Sequence, residues 1–180
     1  MTDTSILKRM FRTEVFVGLA GHYDKRKGVL EESQDTESRI EILNIPEDSL
    51  IVSLDNNFCN SGLFSGARGE CKRGDYIIIS EAAKIAVFIE MKKTGAKEKD
   101  IVNQLKGSLC AFKYLQVIAK HFYDEDDFLA NYTKSFVSFK HTAIAKRKTK
   151  IDRPANKPHN RPENMLRVSW AKTIQFKSIV

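Results

Sequence analysis

The chain has 180 residues and a formal net charge of +7, with 30 lysines and arginines against 23 acidic residues. This length predicts one compact domain, residues 1–180, with enough chain to bury a substantial core. No apolar stretch is long enough to span a bilayer, the N-terminus lacks a signal region, and three cysteines without a CxxC pair do not indicate a disulfide framework. We therefore expect a cytoplasmic protein with no membrane association.

The N-terminal part is predicted to contain one helix, a loop and two strands. Residues 5–21 are expected to be helical because apolar side chains recur along them at roughly helical spacing. These side chains are Ile6, Met10, Val15 and Leu19. The polar residues 24–37 are expected to form a flexible loop. Two apolar runs, residues 40–45 and 49–54, look like strands separated by a proline-containing turn.

A glycine-rich stretch, residues 60–69, precedes the next apolar run. It has no GK[ST] ending, so it is not a Walker A phosphate loop. Two interpretations remain open for it. It is either a plain mobile connection, which is the favoured interpretation, or a loop whose backbone or Arg68 contacts a phosphate.

Residues 74–79 and 85–92 are two apolar, β-branched runs separated by a short polar break. This pattern predicts an antiparallel β-hairpin. If residues 81–84 form its loop, Ser80 faces Ile85, and the register of every pair further along the hairpin is then fixed.

That register brings three charged side chains together. Asp75 falls opposite Glu90, which places their Cβ atoms roughly 4.5–5.5 Å apart. Lys92 lies two residues beyond Glu90, so its side chain leaves the same face of the sheet. Two carboxylates this close favour a hard divalent cation such as Mg²⁺ between them, and the lysine can hold a water or a phosphate oxygen. Together these groups suit metal-assisted phosphodiester hydrolysis.

A helix is predicted from residue 97 to His121, with acidic residues favourably placed in its first turn. Its buried stripe is formed by Ile101, Leu105, Leu109, Phe112 and Leu115. Gln104 lies beside this stripe, near enough to border the charged site. The acidic run at residues 124–127 lacks the spacing of an EF-hand loop and is interpreted as a solvated turn.

The C-terminal part combines predicted strands with a surplus of positive charge. Strands are expected at residues 134–144, 166–170 and 173–176. Residues 146–164 between them hold three of the four prolines and are predicted to be basic and flexible. Such a surplus predicts salt-sensitive contact with a polyanion. Its candidate nucleic-acid-binding residues are Lys146, Arg147, Lys148 and Lys150.

Gly74-Asp75 followed by Glu90-Met91-Lys92 resembles the signature of the PD-(D/E)XK nucleases, with glycine where the family name has proline. That family's core is a helix, three strands, a helix and a further strand (αβββαβ). The resemblance therefore implies an α/β fold with a restriction-endonuclease-like central mixed sheet flanked by helices. It also implies that Asp75, Glu90 and the carbonyl of Met91 bind Mg²⁺, for which Mn²⁺ would substitute, and that Lys92 positions the attacking water.

The resemblance extends to Gln104, because many members carry a glutamine, often in a Gln-Leu context, on the helix after the E-x-K strand. It covers roughly residues 73–115. Position 108 is Ser108 rather than the tyrosine of one exonuclease branch, which weighs against that branch. The family's glutamate on the first helix has two candidates here, Glu14 and Glu37, between which the sequence does not choose.

These patterns favour a Mg²⁺-dependent endonuclease that acts on DNA, with RNA as the second choice. The short chain leaves little room for base-specific recognition, which favours a nonspecific or structure-directed enzyme, a homodimer, or the nuclease subunit of a larger complex in restriction or anti-phage defence. Two alternatives stay open: a noncatalytic nucleic-acid-binding or assembly subunit that acts through the basic C-terminal region, and a degenerate nuclease fold kept as a scaffold. A further alternative, with no function attached, is an exposed face on which the two carboxylates merely pair with Lys92 and Lys93.

Overall fold

A computed structural model describes residues 1–32, 35–55, 57–58, 60–92, 96–140, 150–152, 158–169 and 172–180. Its α-helices are α1 (Asp3–Met10) and α2 (Glu98–Phe122). Its strands are β1 (Leu19–His22), β2 (Lys25–Glu32), β3 (Asp35–Ile45), β4 (Leu50–Ser53), β5 (Tyr76–Ser80), β6 (Ile85–Lys92), β7 (Thr133–Lys140), β8 (Lys150–Asp152), β9 (Leu166–Ser169) and β10 (Thr173–Gln175). Short 3-10 helices lie at Thr13–Val15, Pro162–Asn164 and Phe176–Ser178.

The strands form two mixed sheets. The larger sheet has six strands in the order β4-β5-β6-β7-β9-β8, and the smaller has four in the order β1-β2-β3-β10. In the larger sheet β4, β5 and β6 are antiparallel neighbours, while β6, β7 and β9 run parallel and β8 is antiparallel at one edge. The parallel step from β6 to β7 needs a long crossover, and α2 supplies it.

The larger sheet buries both of its faces. Ile77 and Phe88 pack with α1 and α2 on one face. Their neighbours Ile78 and Val87 pack on the opposite face against residues of the smaller sheet. This alternation is the period of two expected of a strand. The predicted α/β fold with a mixed sheet is therefore confirmed, but the two α-helices among the described residues cover only one face, and a second sheet covers the other.

The hairpin and the long helix follow the sequence predictions. Ser80 pairs with Ile85 and Tyr76 pairs with Ile89, which is the predicted register. Strands also occur at or within the runs predicted at residues 40–45, 49–54, 166–170 and 173–176. α2 buries four of the five predicted stripe residues, and Leu109 packs against the same core while partly exposed.

The predicted first helix is wrong beyond Met10. The residue after it, Phe11, is already extended, and β1 begins at Leu19. Between them, the backbone N–H of Val17 donates to the carbonyl of Ile51 at the end of the larger sheet. A distant backbone partner therefore replaces the helical hydrogen bond of Val17. The sequence around Val17 does not indicate that partner.

The predicted loop at residues 24–37 is also wrong, because β2 and the start of β3 occupy it as antiparallel strands. Leu30 is fully buried in β2, whereas most other side chains described in that strand are exposed or partly exposed. A hairpin with so few buried positions has a mostly polar sequence, which explains why it resembled a loop.

Part of the C-terminal region lies outside the described residues. The structure describes β7 as far as Lys140, so the predicted strand residues 141–144 are not described. Of the segment 146–164, it describes the backbone of β8 and residues 158–164. β8 pairs with β9, a partner that local sequence does not reveal. Within the described chain, neither helix combines the length and apolar character needed to cross a bilayer.

Candidate active site

The three charged residues predicted to converge lie at one end of the β5–β6 pair. Asp75 immediately precedes β5, and Glu90 and Lys92 lie at the C-terminal end of β6. They share the strand parity of Ile77 and Phe88, so they face α2. Glu90 is fully buried, Asp75 is 8% exposed, and the side chain of Lys92 is 27% exposed. The predicted convergence of these side chains on one face therefore holds.

Short contacts connect the three residues. Lys92 Nζ lies 2.9 Å from Glu90 Oε1. The backbone N–H of Met91 donates to Asp75 Oδ2 over 2.6 Å, and the N–H of Asp75 donates to the carbonyl of Ile89 over 3.0 Å. Where the hydrogen-bonded ladder between β5 and β6 ends, the Asp75 carboxylate accepts the hydrogen bond of the Met91 N–H in place of a backbone carbonyl. This contact fixes one oxygen of Asp75 beside β6.

Glu90 has an unusual environment for a carboxyl group. Its pKa is raised to about 9, chiefly by burial and next by the nearby charge of Asp75, while Lys92 acts in the opposite direction. Neither oxygen receives a well-aligned hydrogen bond from the described residues, and the positive group that faces the carboxylate is the ammonium of Lys92. A buried carboxylate is costly unless positive charge compensates it. Two neighbouring carboxyl groups, Glu90 and Asp75, therefore have the nearby charge of Lys92 to share.

The donor set fits a hard divalent cation. Carboxylate oxygens are the ligands that Mg²⁺ prefers, and it often takes only one or two from the protein together with waters and substrate phosphate. Asp75 and Glu90 supply those two carboxylates. Within the described part of the chain, no group of three or more His, Cys, Asp or Glu side chains is arranged so that it could hold a metal ion. Met91 buries its side chain in the opposite core, and its carbonyl stays a predicted ligand.

Gly74 allows the helix to approach the carboxylates closely. Its backbone N–H donates to the buried hydroxyl of Ser108 over 2.7 Å. An added Cβ would lie 2.8 Å from that hydroxyl oxygen and 3.3 Å from Glu90 Oε2. Proline has no N–H, so it would lose this hydrogen bond. Glycine at position 74, where the PD-(D/E)XK signature has proline, therefore keeps the N–H that donates to Ser108 on α2.

The sequence analysis noted Ser108 only as a missing tyrosine. The signal for its role was its spacing, because it lies one helical turn after Gln104 on the buried side of α2. Its hydroxyl also lies 3.3 Å from the carbonyl of Gln104, which accepts a hydrogen bond from it. Ser108 thus connects α2 to the segment that carries Asp75.

A cavity of about 370 Å³ is lined by both Lys92 and Gln104, whereas Asp75 and Glu90 are not among its lining residues. Its other lining residues are Asp55, Cys71, Lys72, Arg73, Ala96 and Asp100. The structure therefore places Gln104 on the same cavity as Lys92. Here the sequence analysis missed Asp55, which follows β4. The available signal was that β4 and β5 are antiparallel, so the end of β4 meets the start of β5.

Arg73 holds this rim of the cavity together. Its Nε donates to the carbonyl of Asp55 over 2.9 Å, and its second guanidinium nitrogen contacts the same oxygen. The N–H of Leu54 donates to the carbonyl of Asp75 over 2.8 Å. The turn after β4 is therefore fixed directly beside Asp75.

None of the other predicted site residues whose side chains the structure describes lines this cavity. Arg68 is exposed, its backbone N–H donates to Glu70 Oε2 over 2.8 Å, and it does not line the cavity. Glu14 is exposed in the 3-10 helix Thr13–Val15, and Glu37 lies in β3, so the expectation that either lies on the first helix is wrong. Among the basic candidates, residues 146–148 lie outside the described residues, and only the backbone of Lys150 is described.

The segment before Asp75 also depends on a glycine in α2. A Cβ on Gly107 would lie 1.7 Å from the carbonyl oxygen of Lys72. We expect Gly107→Ala to displace the helix or this segment and to lower the free energy of unfolding by about 1–3 kcal/mol, despite the better helix propensity of alanine. Urea denaturation measures the change.

The matched control is Gly62→Ala, because a Cβ there would meet nothing within 4 Å. We expect its midpoint of unfolding to stay close to that of the wild type. Equal midpoints for both variants would contradict the close packing of α2 against Lys72.

Comparison of the chain with protein-family models, with curated proteins and with solved structures finds no match. No relative therefore supplies a fold name, an activity or a set of site residues. The functional argument rests on the geometry of this site: a buried carboxylate, a second carboxylate on the neighbouring strand, and a lysine and a glutamine at the edge of one cavity.

Proposed function

We propose that this chain is a Mg²⁺-dependent nuclease of the PD-(D/E)XK type that hydrolyses phosphodiester bonds, in DNA rather than RNA. The observation that carries the proposal is the fully buried Glu90, with Asp75 directly before the neighbouring strand β5 and Lys92 Nζ 2.9 Å from the Glu90 carboxylate. An exposed face of structural ion pairs would leave such a carboxyl group in solvent, whereas Glu90 is fully buried. A cation site explains that burial.

The order of elements supports this assignment. α1, β4, β5, β6, α2 and β7 follow one another as helix, three strands, helix and strand. β1, β2 and β3 are inserted between α1 and β4, and they build most of the smaller sheet. In this assignment Asp75 precedes the second core strand, and Glu90 and Lys92 lie on the third. We propose that these six elements form a restriction-endonuclease-like core.

Each residue of the site has a distinct chemical role in this proposal. A bound Mg²⁺ would polarise a phosphoryl oxygen and lower the pKa of a water. Asp75, directly before β5, and Glu90, on β6, would hold it. Lys92 presents an ammonium group that positions the attacking water and stabilises the charge that develops on the phosphate. Gln104 reaches the same cavity from α2 and orients the water or the substrate.

The direct test is a cleavage assay on plasmid, linear duplex, single-stranded DNA and RNA, each with Mg²⁺ or with EDTA. We expect the wild type to cut at least one of these substrates only with Mg²⁺, and Asp75→Ala and Glu90→Ala to abolish cutting. Calorimetric titration is expected to show Mg²⁺ and Mn²⁺ binding to the wild type and not to Asp75→Ala. Lys113→Ala, an exposed change on α2, is the control.

Each contrary outcome has a defined meaning. Metal binding without cleavage of any of these substrates would contradict the nuclease activity. A folded wild type that binds neither Mg²⁺ nor Mn²⁺ would contradict the proposal and favour a degenerate nuclease fold kept as a scaffold. Nucleic-acid binding that is insensitive to Asp75 and Glu90 but is lost when the basic residues 146–148 and 150 are neutralised would favour the noncatalytic binding subunit.

A further inference from the structure

A second cavity lies beside the candidate active site. It has a volume of about 200 Å³, and Ala96 lines both cavities. Its polar and charged lining residues are Glu98, Ser138, Lys140, Arg167 and Ser169. The two cavities are therefore neighbours on one surface, and the second contains two cationic side chains.

Strand register connects the second cavity to the proposed catalytic residues. On the parallel strands β6 and β7, Glu90 pairs with Ser138 and Lys92 pairs with Lys140. Paired residues on neighbouring strands lie on the same face, about 4.8 Å apart. Lys140 is therefore about one strand spacing from Lys92, on the face that carries the site.

The same rows continue to β9. Ser138 pairs with Arg167, and Lys140 pairs with Ser169. The flanking residues Leu166 and Val168 are buried in the opposite core, so Arg167 and Ser169 face the helix side. Two polar rows thus cross three strands, and Arg167 lies about two strand spacings from Glu90.

The two cationic side chains of this cavity favour an anion, and the carboxylate of Glu98 competes with that anion for Arg167. Lys140 is exposed and Arg167 is half-buried, and both reach the cavity. Glu98, in the first turn of α2, lies 2.5 Å from the guanidinium group of Arg167. Glu98 is the more exposed partner of this pair, at 62%. A phosphate group is a better match than a single carboxylate for a guanidinium and an ammonium together.

We propose that Lys140 and Arg167 bind a backbone phosphate of the substrate strand next to the phosphate that is cut, with the hydroxyls of Ser138 and Ser169 as additional donors. This inference rests on the proposed nuclease function and extends it. Phosphate contacts fix the position of a strand without reading its sequence. The cavity therefore sets how the strand enters the site. Glu98 competes with the phosphate for Arg167.

Binding of a labelled single-stranded oligonucleotide, and of its duplex, in EDTA tests the proposal without requiring cleavage. We expect the double variant Lys140→Ala/Arg167→Ala to bind the single strand at least 10-fold more weakly than the wild type. Its log–log salt slope is expected to fall by about 0.7, since each neutralised phosphate of a single strand contributes roughly that amount and the two side chains bind one phosphate.

The control double variant is Arg26→Ala/Lys177→Ala, which loses the same charge outside the larger sheet. Arg26 pairs with exposed Glu47, as Arg167 pairs with Glu98, so the control also matches the ion pair. We expect this control to change binding by less than 2-fold. Equal weakening by the two double variants would overturn the proposal, because net charge alone would then explain the loss.

A gain of affinity provides the second test. Glu98→Gln is expected to tighten binding 3- to 10-fold by releasing Arg167, whereas Glu47→Gln is expected to have little effect. Equal effects of the two changes would overturn the role of Glu98.

Titration with inorganic phosphate identifies the source of the ligand. If phosphate saturates this cavity while oligonucleotide binding is unaffected, the cavity binds free phosphate and the backbone assignment is wrong.

The inference and the proposed function fail in different ways. If the wild type cuts nothing but Lys140→Ala/Arg167→Ala loses oligonucleotide binding, the phosphate site stands and the nuclease proposal falls. If the wild type cuts and that double variant binds as its control does, the nuclease proposal stands and the phosphate site falls.

Discussion

Replacing Lys92 by alanine is expected to slow Mg²⁺-dependent cleavage by about 10²–10³-fold, the loss typical of removing one group that stabilises charge in a transition state. The ammonium of Lys92 is the cation that the structure places on Glu90, at 2.9 Å from its carboxylate. It is also partly exposed, so the same side chain can reach a water in the cavity. Single-turnover cleavage at saturating Mg²⁺ measures the loss.

This prediction separates catalysis from metal binding. Lys92 is not a proposed ligand, so calorimetry is expected to show that Lys92→Ala still binds Mg²⁺, whereas Asp75→Ala does not. Lys92→Arg is expected to rescue little of the rate, because a planar guanidinium does not place a donor where the compact ammonium does. A loss of less than about threefold for Lys92→Ala, with substrate binding intact, would remove Lys92 from the proposed chemistry.

The second large effect is a pH-dependent stability that Glu90→Gln abolishes. Burial and the charge of Asp75 raise the pKa of Glu90 to about 9 in the folded protein, far above its ordinary value of 4.5. Between these values the folded protein holds a proton that the unfolded chain has released. The contribution of Glu90 to stability is therefore complete below pH 4.5 and is lost as pH rises towards 9, by up to about 1.4 kcal/mol per pH unit.

Urea denaturation in EDTA at pH 5, 6, 7 and 8 measures this effect. We expect the free energy of unfolding of the wild type to fall with pH relative to that of Glu90→Gln, so that the variant becomes the more stable protein at pH 8. Mg²⁺ is expected to stabilise the wild type more at pH 8 than at pH 6, since it binds the deprotonated carboxylate. Parallel curves for the two proteins, with and without Mg²⁺, would contradict the buried carboxyl group.

The sequence was sufficient for the hairpin because its information is local. Two β-branched runs separated by four residues leave one natural pairing of Ser80 with Ile85, and that pairing brings Asp75, just before β5, to the end of β6 that carries Glu90. The long helix α2 was equally accessible, because its apolar stripe recurs over many turns. These elements contain most of the candidate site, so the most important residues of the site could be identified from the sequence.

The remaining features depend on partners that are distant in the sequence. Val17 leaves the helical pattern because its N–H bonds to Ile51, and β2 is a strand because it lies between β1 and β3. Ser108 reaches Gly74 only because α2 packs across the end of the sheet. The second cavity, which Lys140 and Arg167 line, requires the order β6-β7-β9, which no local pattern specifies. Tertiary contacts, rather than local preferences, decide these features.

The parallel pairing of β10 with β3 has a consequence for the tail of the chain. β10 follows β9 of the larger sheet, yet it completes the smaller one, and the buried side chains after Lys172 fill the core between the two sheets. These side chains are Ile174, Phe176 and Ile179. Truncation of the chain before β10 would remove the hydrogen-bonding neighbour of β3 on one side. An edge strand exposed in this way promotes aggregation with other copies of the protein.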